Sequence, residues 1–336
     1  MATNGMKILV TGGAGYIGSH CALRLMETGY DVVIFDNYST GHKETAEILK
    51  NVDADGKVLA TIEGDLLNYS DINVAFDSYP IDAVIHFAAF SQVAESMKDP
   101  GKYYRNNVCG TLNLLDAMRS HGVNKIVFSS TAATYGEPEY TPIDEDHPQR
   151  PINPYGMSKL MIEHIMDDYD SSYGLHSVRL RYFNVAGADP EERIGEMHEP
   201  ETHLIPNILK SVNGDGHKFS MFGTDYPTRD GTCIRDYVNV VDLADAHILA
   251  LNYLDRGGKT DYFNLGTENG SSVKEVFAAC ESITESKISV DICGRRPGDP
   301  AVLVACNKKA REVLRWEPKY SLKDSIKTAY QWEKRQ

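Results

Sequence analysis

The stretch Lys7-Ile8-Leu9-Val10-Thr11-Gly12-Gly13-Ala14-Gly15-Tyr16-Ile17-Gly18 decides the fold of this chain. It begins with a short apolar run that predicts a buried strand. Glycines then follow at the spacing G-x-x-G-x-x-G. Gly12 permits a tight turn, Gly15 lets the backbone approach a diphosphate, and Gly18 lets the next helix pack close to the strand. The stretch therefore predicts a strand, a turn and a helix that together bind a dinucleotide.

The residues after the glycines complete a β-α-β unit. A helical pattern covers about residues 16–27, and Asp31–Phe35 predicts a second strand. The helix N-terminus offers N–H groups and a partial positive charge to phosphates. Asp36 ends the second strand where an acid binds the adenosine ribose hydroxyls, and it would repel a 2′-phosphate. Because Asn37 is not an arginine, NAD is favoured over NADP. An ordinary glycine-rich turn and a turn-forming Asp36 are the alternatives.

Apolar, β-rich runs alternate with helical patterns along the following residues. The predicted strands are Val58–Glu63, Ala83–Phe87, Lys125–Ser129 and Ser177–Tyr182, and the predicted helices include Gly101–His121 and Tyr155–Tyr173. Such alternation predicts a parallel sheet with helices on both faces. The predicted fold class is therefore α/β, a Rossmann-type doubly wound parallel sheet.

The amino-acid composition changes near residue 183, after which frequent Gly, Pro, His and Asp residues predict a region of loops. We predict a helix over Val238–Leu254, a strand over Tyr262–Leu265 as a candidate to rejoin the first sheet, and a helix over Ser272–Thr284. The predicted dinucleotide-binding Rossmann domain takes residues 1–182, with a return near 236–268. A smaller, interleaved α/β substrate-binding domain takes residues 183–235 and 269–336.

The stretch Tyr155-Gly156-Met157-Ser158-Lys159 supplies a proton-transfer pair. On a helix, residues four apart share a face, and Pro154 suits a helix start. A free tyrosine titrates near pH 10, and a nearby ammonium or cationic nicotinamide ring lowers that pKa by favouring the phenolate. A tyrosine tuned in this way takes a proton from a hydroxyl as a hydride leaves the same carbon. An exposed Tyr-Lys pair at a helix start is the alternative.

A strand-end hydroxyl accompanies this pair. Residues 126–136 predict a strand that runs into a loop of small residues. Ligands of open α/β sheets bind at the carboxyl ends of strands. The hydroxyl of Thr131 is therefore a candidate to hydrogen-bond the reacting oxygen, with a strand-end cap as the alternative.

Composition narrows the class of protein. The chain has 336 residues, a hydrophobic content of 42% and a formal net charge of −14, which suits a soluble globule and argues against general nucleic-acid binding. No apolar run is long enough to span a membrane, and Met1–Lys7 has no signal-peptide core. The six cysteines show no paired spacing, which predicts reduced thiols in the cytoplasm.

Two histidines raise the question of a metal. His198 and His203 flank Glu199-Pro200-Glu201-Thr202. The spacing is not H-E-x-x-H, and Pro200 breaks the helix that would align two ligands. We therefore predict no metal site.

Longer motifs make the chain resemble the extended branch of the short-chain dehydrogenase/reductase superfamily, and within it the enzymes that epimerise UDP-hexoses at C4. The similarity covers nearly the whole length. Besides the glycine motif and Tyr155-x-x-x-Lys159, it rests on Asp36-Asn37, Glu63–Leu66, His86–Ala89, Tyr104–Val108, Ser130-Thr131, Arg181–Asn184, Phe222–Thr228, Gly231–Val238 and Arg295–Asp299.

The resemblance implies a role for each matching position. Tyr155 would be the base, Lys159 its activator and ribose ligand, and Thr131 the hydroxyl partner. NAD would be bound by Gly12, Gly15, Tyr16, Ile17, Gly18, Asp36, Asn37, Asp65, Leu66, Phe87, Ala88, Ala89, Asn107, Tyr155, Lys159 and Tyr182. The UDP-sugar would be bound by Thr131, Asn184, Leu204, Phe222, Arg235, Arg296, Asp299 and Leu303.

Without the resemblance, composition predicts that some of these residues are structural and do not bind a ligand. Phe222 suits a core, and the two arginines suit a solvated face. An anionic diphosphate on an acidic protein nevertheless needs a local basic clamp, for which Arg235 and Arg296 are the candidates.

The implied reaction is NAD-dependent inversion at C4, which interconverts UDP-galactose and UDP-glucose through a transient 4-keto sugar. The resemblance also implies a homodimer formed through the helices near Gly101–His121 and Tyr155–Tyr173. In similar 4,6-dehydratases acids follow the Ser/Thr of the strand-end loop, so Ala132-Ala133 argues against dehydration. Epimerisation of UDP-N-acetylhexosamines or UDP-uronic acids is an alternative, and a non-catalytic dinucleotide sensor is a different class.

Three positions depart from the pattern of similar enzymes. Thr131 stands where many have serine, which keeps the hydroxyl, and Ser91 stands where some have lysine. Leu303 stands where enzymes strict for non-acetylated sugars have tyrosine and permissive ones have a smaller residue. The sequence therefore does not decide how large a sugar substituent the pocket accepts.

Overall fold

A computed structural model describes residues 5–212, 218–296 and 298–336. Residues 1–4 and 213–217 lie outside these ranges, as does Pro297 of the Arg295–Asp299 motif. In the part of the chain that the structure describes, no helix is both long and apolar enough to cross a membrane.

Strands and helices alternate along most of these ranges. The strands are β1 (Lys7–Thr11), β2 (Asp31–Asp36), β3 (Val58–Glu63), β4 (Ala83–His86), β5 (Lys125–Thr131), β6 (His176–Tyr182), β7 (Asn184–Ala186), β8 (Phe219–Phe222), β9 (Ile234–Arg235), β10 (Tyr237–Asn239), β11 (Asp261–Leu265), β12 (Ser271–Ser272), β13 (Val290–Cys293) and β14 (Val302–Leu303). The helices are α1 (Tyr16–Glu27), α2 (Lys43–Val52), α3 (Tyr69–Ser78), α4 (Val93–Lys98), α5 (Pro100–Tyr103), α6 (Gly110–Ser120), α7 (Pro154–Tyr173), α8 (Leu204–Lys210), α9 (Val240–Asp255), α10 (Val273–Thr284) and α11 (Leu322–Glu333).

A seven-stranded sheet with the order β11-β6-β5-β4-β1-β2-β3 forms the centre of the molecule. Every pair of neighbouring strands in it is parallel. The chain moves outward from β1 in one direction to β3 and in the other to β11, so a crevice opens at the carboxyl ends of β1 and β4. The predicted Rossmann-type doubly wound sheet is confirmed.

Alternation along β1 divides the core into two layers. Ile8 and Val10 pack on one face of the sheet with residues of α1 and α9. Leu9 packs on the other face with residues of α3, α6 and α7. Successive side chains of a strand point to opposite faces, so a strand buried on both sides is apolar throughout. This explains why the predicted strands read as continuous apolar runs.

Local signals fix the ends of α7. The side chain of Asn153 accepts a hydrogen bond from the N–H of Gly156 at 2.8 Å, and Pro154 occupies the first turn. Both residues suit a helix start. Gly174 ends the helix with a φ of 67°, a left-handed conformation that glycine adopts without strain.

Two predicted helices differ from the structure. The helix predicted over Gly101–His121 is divided by a π-helical turn at Tyr104–Cys109 between α5 and α6. The helix predicted over Val238–Leu254 begins only at Val240, because Val238 and Asn239 belong to β10 and pair with β7. The apolar pattern continues from strand into helix without a break, so periodicity alone could not locate this boundary.

The remaining strands form smaller sheets around a separate core. β7 pairs with β10, β8 with β13, and β9 lies between β12 and β14. Their apolar residues pack with α8, α10 and α11. β11 comes after β7, β8, β9 and β10 in the sequence, but it lies at the edge of the large sheet, beside β6. The domain boundaries at residues 182, 235 and 268 stay a prediction.

Candidate active site

The glycine turn between β1 and α1 forms one wall of a cleft. Gly12 has a φ of +70°, and a Cβ there would lie 2.6 Å from the backbone N of Ala88. A Cβ on Gly18 would collide with the carbonyl oxygen of Gly12. Gly15 caps α1 without a side-chain hydrogen bond, and no acidic residue lies in the first turn. The helix therefore presents its N-terminus with no competing side chain, which fits the diphosphate of a dinucleotide.

Asp36 lies in the same cleft at the end of β2. Its Oδ2 accepts from the N–H of Ala14 at 3.0 Å, and its Oδ1 accepts from the N–H of Tyr38 at 2.8 Å. Burial raises the pKa of Asp36, while these N–H groups and the charge of His42 act in the opposite direction. Asn37 donates from Nδ2 to Asp65 at 3.0 Å. A carboxylate fixed in this position fits ribose hydroxyls and repels a 2′-phosphate.

Tyr155 and Lys159 lie one turn apart on α7, facing Thr131 at the end of β5. The phenol of Tyr155 interacts with the side chain of Thr131, which lowers the pKa of the phenol. The Nζ of Lys159 donates to the backbone oxygen of Ser129 at 2.8 Å and lies 4.7 Å from the centre of the Phe128 ring. Tyr155, Lys159 and Thr131 line the same cleft as the glycine turn. The structure thus brings the predicted proton-transfer pair and the predicted dinucleotide-binding turn together in one cleft.

Burial controls the protonation of this pair. It raises the pKa of Tyr155, and the interaction with Thr131 only partly opposes it. Burial also lowers the pKa of Lys159 to about 7, and the carboxylate of Glu163 opposes this change. The expectation that Lys159 lowers the Tyr155 pKa stays a prediction, because burial dominates in this structure and the ammonium is directed to Ser129. A further positive charge in the cleft would favour the phenolate.

Most of the predicted site residues line this one cleft. They are Gly12, Gly15, Tyr16, Ile17, Gly18, Asp36, Asn37, Asp65, Leu66, Phe87, Ala88, Ala89, Thr131, Tyr155, Lys159, Tyr182 and Asn184. Many of them lie at or just after the ends of β1, β2, β4, β5 and β6. Parallel strands place these ends at a single edge of the sheet, which is why residues far apart in sequence meet there.

Asn107 lies behind the cleft wall instead of lining it. Its Oδ1 accepts from the N–H of Phe90 at 2.9 Å, and its Nδ2 donates to Ser158 at 3.1 Å. The side chain is fully buried. Its neighbour Asn106 is the residue that lines the cleft. The structure therefore places Asn107 as a support for the wall, because its amide is used within the protein.

The predicted diphosphate and uracil residues form a second group outside the lining of this cleft. Arg235 on β9 forms an ion pair with Asp299. The guanidinium carbon of Arg296 lies 4.0 Å from the centre of the Phe222 ring, a cation–π contact. Each arginine thus contacts one of the other predicted residues, and Arg235 already has a carboxylate as its partner.

Leu303 and Leu204 connect this group with the cleft. Leu303 pairs in register with Arg235 and packs against the cluster that contains Ala132 and Phe183. Phe183 lines the cleft, and Ala132 directly follows Thr131. Leu204 begins α8 next to His203, which also lines the cleft. Leu303 therefore packs against the residue that follows Thr131 and against a residue that lines the cleft.

Ser129 is a cleft residue that sequence reasoning missed. Its hydroxyl is hydrogen-bonded to the hydroxyl of Tyr182, and both side chains line the cleft. Ser129 lies two residues before Thr131 on one strand, so both side chains point to the same face. This alternation is a signal that could have identified Ser129 once Thr131 was chosen.

Glu196, His198 and His203 also line the cleft and were not predicted to do so. Glu196 Oε1 accepts from Nδ1 of His198 at 2.8 Å and from Nδ1 of His203 at 2.6 Å. Burial raises the pKa of Glu196, but the hydrogen bonds from both imidazoles prevail and lower it to about 2. Burial lowers the pKa of His203, but the hydrogen bonds to Glu196 and Glu201 prevail and raise it to about 10.

These four residues resemble a metal site in composition. Donor atoms of Glu196, His198, Glu201 and His203 all lie within 4.8 Å of one another. Imidazoles and carboxylates are ligand types that zinc accepts. Ion pairs already engage these donors in the structure. The absence of a metal site stays a prediction.

The sheet and the Tyr-Lys pair place the chain among the short-chain dehydrogenases/reductases, a class of dinucleotide-dependent enzymes. The profile of a family described as GDP-mannose 4,6 dehydratase matches residues 9–329. The UDP-glucose 4-epimerase of Lacticaseibacillus casei is 51% identical over 328 residues, which cover 97% of this chain and 96% of that protein. The chain belongs to the UDP-glucose 4-epimerase family, which confirms the resemblance drawn from its motifs.

Solved structures agree with this assignment. The UDP-glucose 4-epimerase from Brucella ovis, crystallised in complex with NAD, has 45% identity and a TM-score of 0.91, covering 97% of this chain and 98% of that one. The enzyme from Bifidobacterium longum, in complex with NAD+ and UDP, has 38% identity and a TM-score of 0.92, covering 98% of each chain. The likeness extends over the whole fold and includes both the sheet and the smaller region.

Proposed function

We propose that this protein interconverts UDP-galactose and UDP-glucose by NAD-dependent inversion at C4 of the hexose. The observation that carries the proposal is the placement of Tyr155, Lys159 and Thr131 in the cleft that contains the glycine turn. Oxidation of a carbinol to a ketone needs a hydride acceptor at the carbon and a base at the hydroxyl oxygen. The family to which the chain belongs supports this reaction.

The chain's own residues supply the binding and the proton transfer. When bound, NAD would accept a hydride from C4 and return it, so it would end each cycle unchanged. Residues 12–18 would bind its diphosphate, and Asp36 its ribose hydroxyls. Tyr155 would take the proton of the 4-hydroxyl and later return it, while Thr131 orients the same oxygen. Lys159 would bind the ribose, and its positive charge would favour the phenolate.

Inversion requires the sugar to expose both faces to the same groups. Loss of a proton and a hydride at C4 leaves a 4-keto sugar. We propose that the UDP moiety stays bound to Arg235, Arg296 and Phe222 while the keto sugar turns over. Asn184, Leu204 and Asp299 would complete this UDP-sugar-binding site, which lies within the segments 183–235 and 269–336. The Arg296–Phe222 contact supports it, because both a planar cation and an aromatic ring are then available to a pyrimidine diphosphate.

Specific residues bear on the alternative substrates and on the alternative reaction, dehydration. Leu303 packs against the cluster of Ala132 and Phe183, so its size would limit a substituent on the sugar. Epimerisation of UDP-N-acetylhexosamines or UDP-uronic acids is the second candidate for this reason. Ala132 and Ala133 follow Thr131 and carry no acid for the elimination of water, so the site favours epimerisation over dehydration.

The decisive experiment is incubation of the purified protein with UDP-galactose, followed by chromatographic separation of the products. UDP-glucose should form without added cofactor, and the supernatant of denatured protein should contain NAD. Failure to form UDP-glucose with NAD present would contradict the proposal. Turnover of acetylated or carboxylated UDP-sugars alone would favour the second candidate. Bound NAD with no turnover of any UDP-sugar would favour a non-catalytic sensor.

We further propose a homodimer formed, as the resemblance implies, through the helices near Gly101–His121 and Tyr155–Tyr173, together with the neighbouring α4. Val93, Met97, Met161 and Tyr173 on these helices are exposed apolar side chains. Exposed apolar side chains on neighbouring helices suit an interface between two copies. Light scattering should give the mass of a dimer, and Met97→Glu with Met161→Glu should give that of a monomer. A monomeric wild-type protein would contradict this proposal.

We also propose that the protein works in the cytoplasm. All six cysteines, each within the described ranges, are free thiols. Free thiols persist in a reducing compartment. Fractionation of the source cells, with the activity assayed in each fraction, tests this location.

A further inference from the structure

Glu163 is a buried carboxylate on α7, one turn after Lys159. Only 3% of its side chain is exposed. It accepts hydrogen bonds from Arg181 on β6 at 2.5, 3.0 and 3.2 Å. It also accepts from the hydroxyl of Ser130 at 2.5 Å. Ser130 directly precedes Thr131, so this carboxylate joins α7 to the strand that carries the hydroxyl partner of Tyr155.

The hydrogen bonds of Lys159 and Glu163 end on adjacent residues of β5. Lys159 donates to the backbone oxygen of Ser129, and Glu163 accepts from the side chain of Ser130. Both contacts run from one face of α7 to the end of one strand. The spacing between helix and strand at Thr131 is therefore fixed from two consecutive turns of α7.

The charged groups around the carboxylate come from two elements. Lys159 precedes it on α7, and Arg181 faces it from β6. Arg179, also on β6, donates to the backbone oxygen of Glu163 at 3.0 Å and is paired with Asp167 at 2.5 Å.

Neutral side chains complete the surroundings of Glu163. Ser130 faces it from β5, and Gln149, in the loop before α7, donates to Oε2 at 3.4 Å. Burial raises the pKa of Glu163, but the hydrogen bond and charge of Arg181 prevail and lower it. Glu163 is therefore a carboxylate at neutral pH.

We propose that Glu163 is a positioning residue for the epimerisation, in that its carboxylate places a negative charge one turn from Lys159 on α7 and holds Ser130, and with it Thr131, at the end of β5. This inference rests on the proposed function. Glu163 does not itself line the cleft, so it acts through Lys159 and Thr131.

The electrostatic part of this role has a definite sign. Burial disfavours the ammonium of Lys159 and lowers its pKa, whereas the carboxylate of Glu163 raises it. His86 on β4 also faces Lys159, but burial and the charge of Lys159 lower the pKa of His86 to about 3, so this imidazole is neutral over the profile. Removal of the carboxylate therefore lowers this pKa further, and Lys159 loses its proton at a lower pH. The Tyr155 phenolate then loses a neighbouring positive charge. The decline of kcat on the alkaline side of its pH profile should consequently begin at a lower pH.

The test compares Glu163→Gln with Asp167→Asn. Asp167 lies one turn further along α7 and is likewise paired with an arginine of β6, so the control removes the same charge from the same helix. In Glu163→Gln, the alkaline limb of kcat for UDP-galactose should move down by about one pH unit, and kcat at the wild-type optimum should fall about tenfold. Because Glu163 does not line the cleft, KM should change by less than about twofold. Asp167→Asn should keep the wild-type profile.

Glu163→Gln leaves Arg181 buried without its partner, which can prevent folding. The double variant Glu163→Gln, Arg181→Met removes both charges and serves in that case. Bound NAD and the thermal unfolding curve report whether each variant is folded. The double variant should show a smaller shift of the alkaline limb in the same direction, because loss of the Arg181 cation opposes loss of the Glu163 carboxylate.

The outcomes separate this inference from the proposed function. An active wild-type protein together with a folded variant whose pH profile is unchanged would overturn the role of Glu163 alone. An equal shift in Asp167→Asn would also overturn it, because the effect would then belong to the helix charge in general. A wild-type protein without epimerase activity would overturn both proposals.

Discussion

The ammonium of Lys159 donates a hydrogen bond to the backbone carbonyl of Ser129 at 2.8 Å, two residues before Thr131 on the same strand. The lysine thereby joins α7 to β5 at the point where Tyr155 meets Thr131. This contact involves neither the phenol nor the Thr131 hydroxyl. Changes to the phenol alone should therefore leave the geometry of the site in place.

Tyr155→Phe should lower kcat for UDP-galactose by about 10² to 10⁴, the range typical of general acid–base assistance. The phenylalanine ring keeps the packing of the tyrosine but cannot accept the proton of the 4-hydroxyl. Bound NAD and the melting temperature should stay at their wild-type values, since the contact of Lys159 with Ser129 persists. Steady-state kinetics together with the NAD content of denatured protein check both parts.

Tyr173→Phe is the matched control for this variant. Tyr173 lies at the end of the same helix, and its side chain is 54% exposed. It should keep wild-type turnover. Near-normal activity in Tyr155→Phe would show that another group moves the proton.

Arg296→Ala should raise KM for UDP-galactose by about tenfold or more, because a charge-assisted hydrogen bond is lost. Contact with a diphosphate is similar in the ground and transition states, so kcat should change much less. Arg295→Ala is the control. Arg295 is the adjacent arginine, but it is paired with Asp225 at 2.8 Å at an exposed position. An effect of Arg296→Ala on kcat alone, with KM unchanged, would mean that this residue does not bind the diphosphate.

Residue 303 should set the size of the sugar pocket. Leucine is smaller than tyrosine and larger than serine, so we expect UDP-galactose and UDP-glucose as the main substrates, with at most weak turnover of UDP-N-acetylglucosamine. Leu303→Ser should raise the ratio of kcat/KM for acetylated against plain sugar, and Leu303→Tyr should lower it. The reason is the packing of Leu303 against the cluster of Ala132 and Phe183. A constant ratio in all three proteins would show that another residue limits the pocket.

The Glu196–His203 pair should make stability depend on pH. The pKa of Glu196 is lowered from 4.5 to about 2, so its contribution is present above pH 4.5 and is lost as the pH falls below that value. The pKa of His203 is raised from 6.5 to about 10, so its contribution is complete below pH 6.5 and is lost as the pH rises toward 10. The pair therefore stabilises the fold most between pH 4.5 and 6.5.

Denaturant unfolding of the wild type and of Glu196→Gln, with saturating NAD, measures this contribution. The difference in free energy of unfolding should be largest near pH 5.5 and should decline steadily up to pH 9.5, within the window that these pKa values set. Asp77→Asn, which breaks the exposed His121–Asp77 pair, is the control and should show a smaller difference. A difference independent of pH would contradict the assignment of the protonated His203.

The parts of the site that follow local rules could be predicted from the sequence. The glycine spacing identified the turn, because a Cβ at Gly12 or Gly18 meets backbone atoms and no other residue fits. Tyr155 and Lys159 share a face because helix periodicity requires it. The parallel sheet followed from the alternation of apolar strands and helices.

Other features depend on contacts between distant segments. Asn106 and not Asn107 lines the cleft because a π-helical turn changes the direction in which successive side chains point. The apolar pattern of the sequence does not reveal this turn. The cluster of Glu196 with His198 and His203 forms around Pro200 in a loop, so no periodicity predicts it. Burial raises the pKa of Tyr155, and the four-residue spacing of Tyr155 and Lys159 does not show how deeply the phenol is buried.

The position of β11 at the edge of the large sheet has a consequence during synthesis. The ribosome releases β6 well before β11, which is the only neighbour of β6 on that side in the seven-stranded sheet. Until Leu265 has emerged, the nascent chain carries a strand with unpaired N–H and C=O groups. Such an edge is a template for pairing with another chain. The interval between the translation of β6 and that of β11 is therefore the period in which a growing polypeptide on a crowded polysome is most exposed to misassociation.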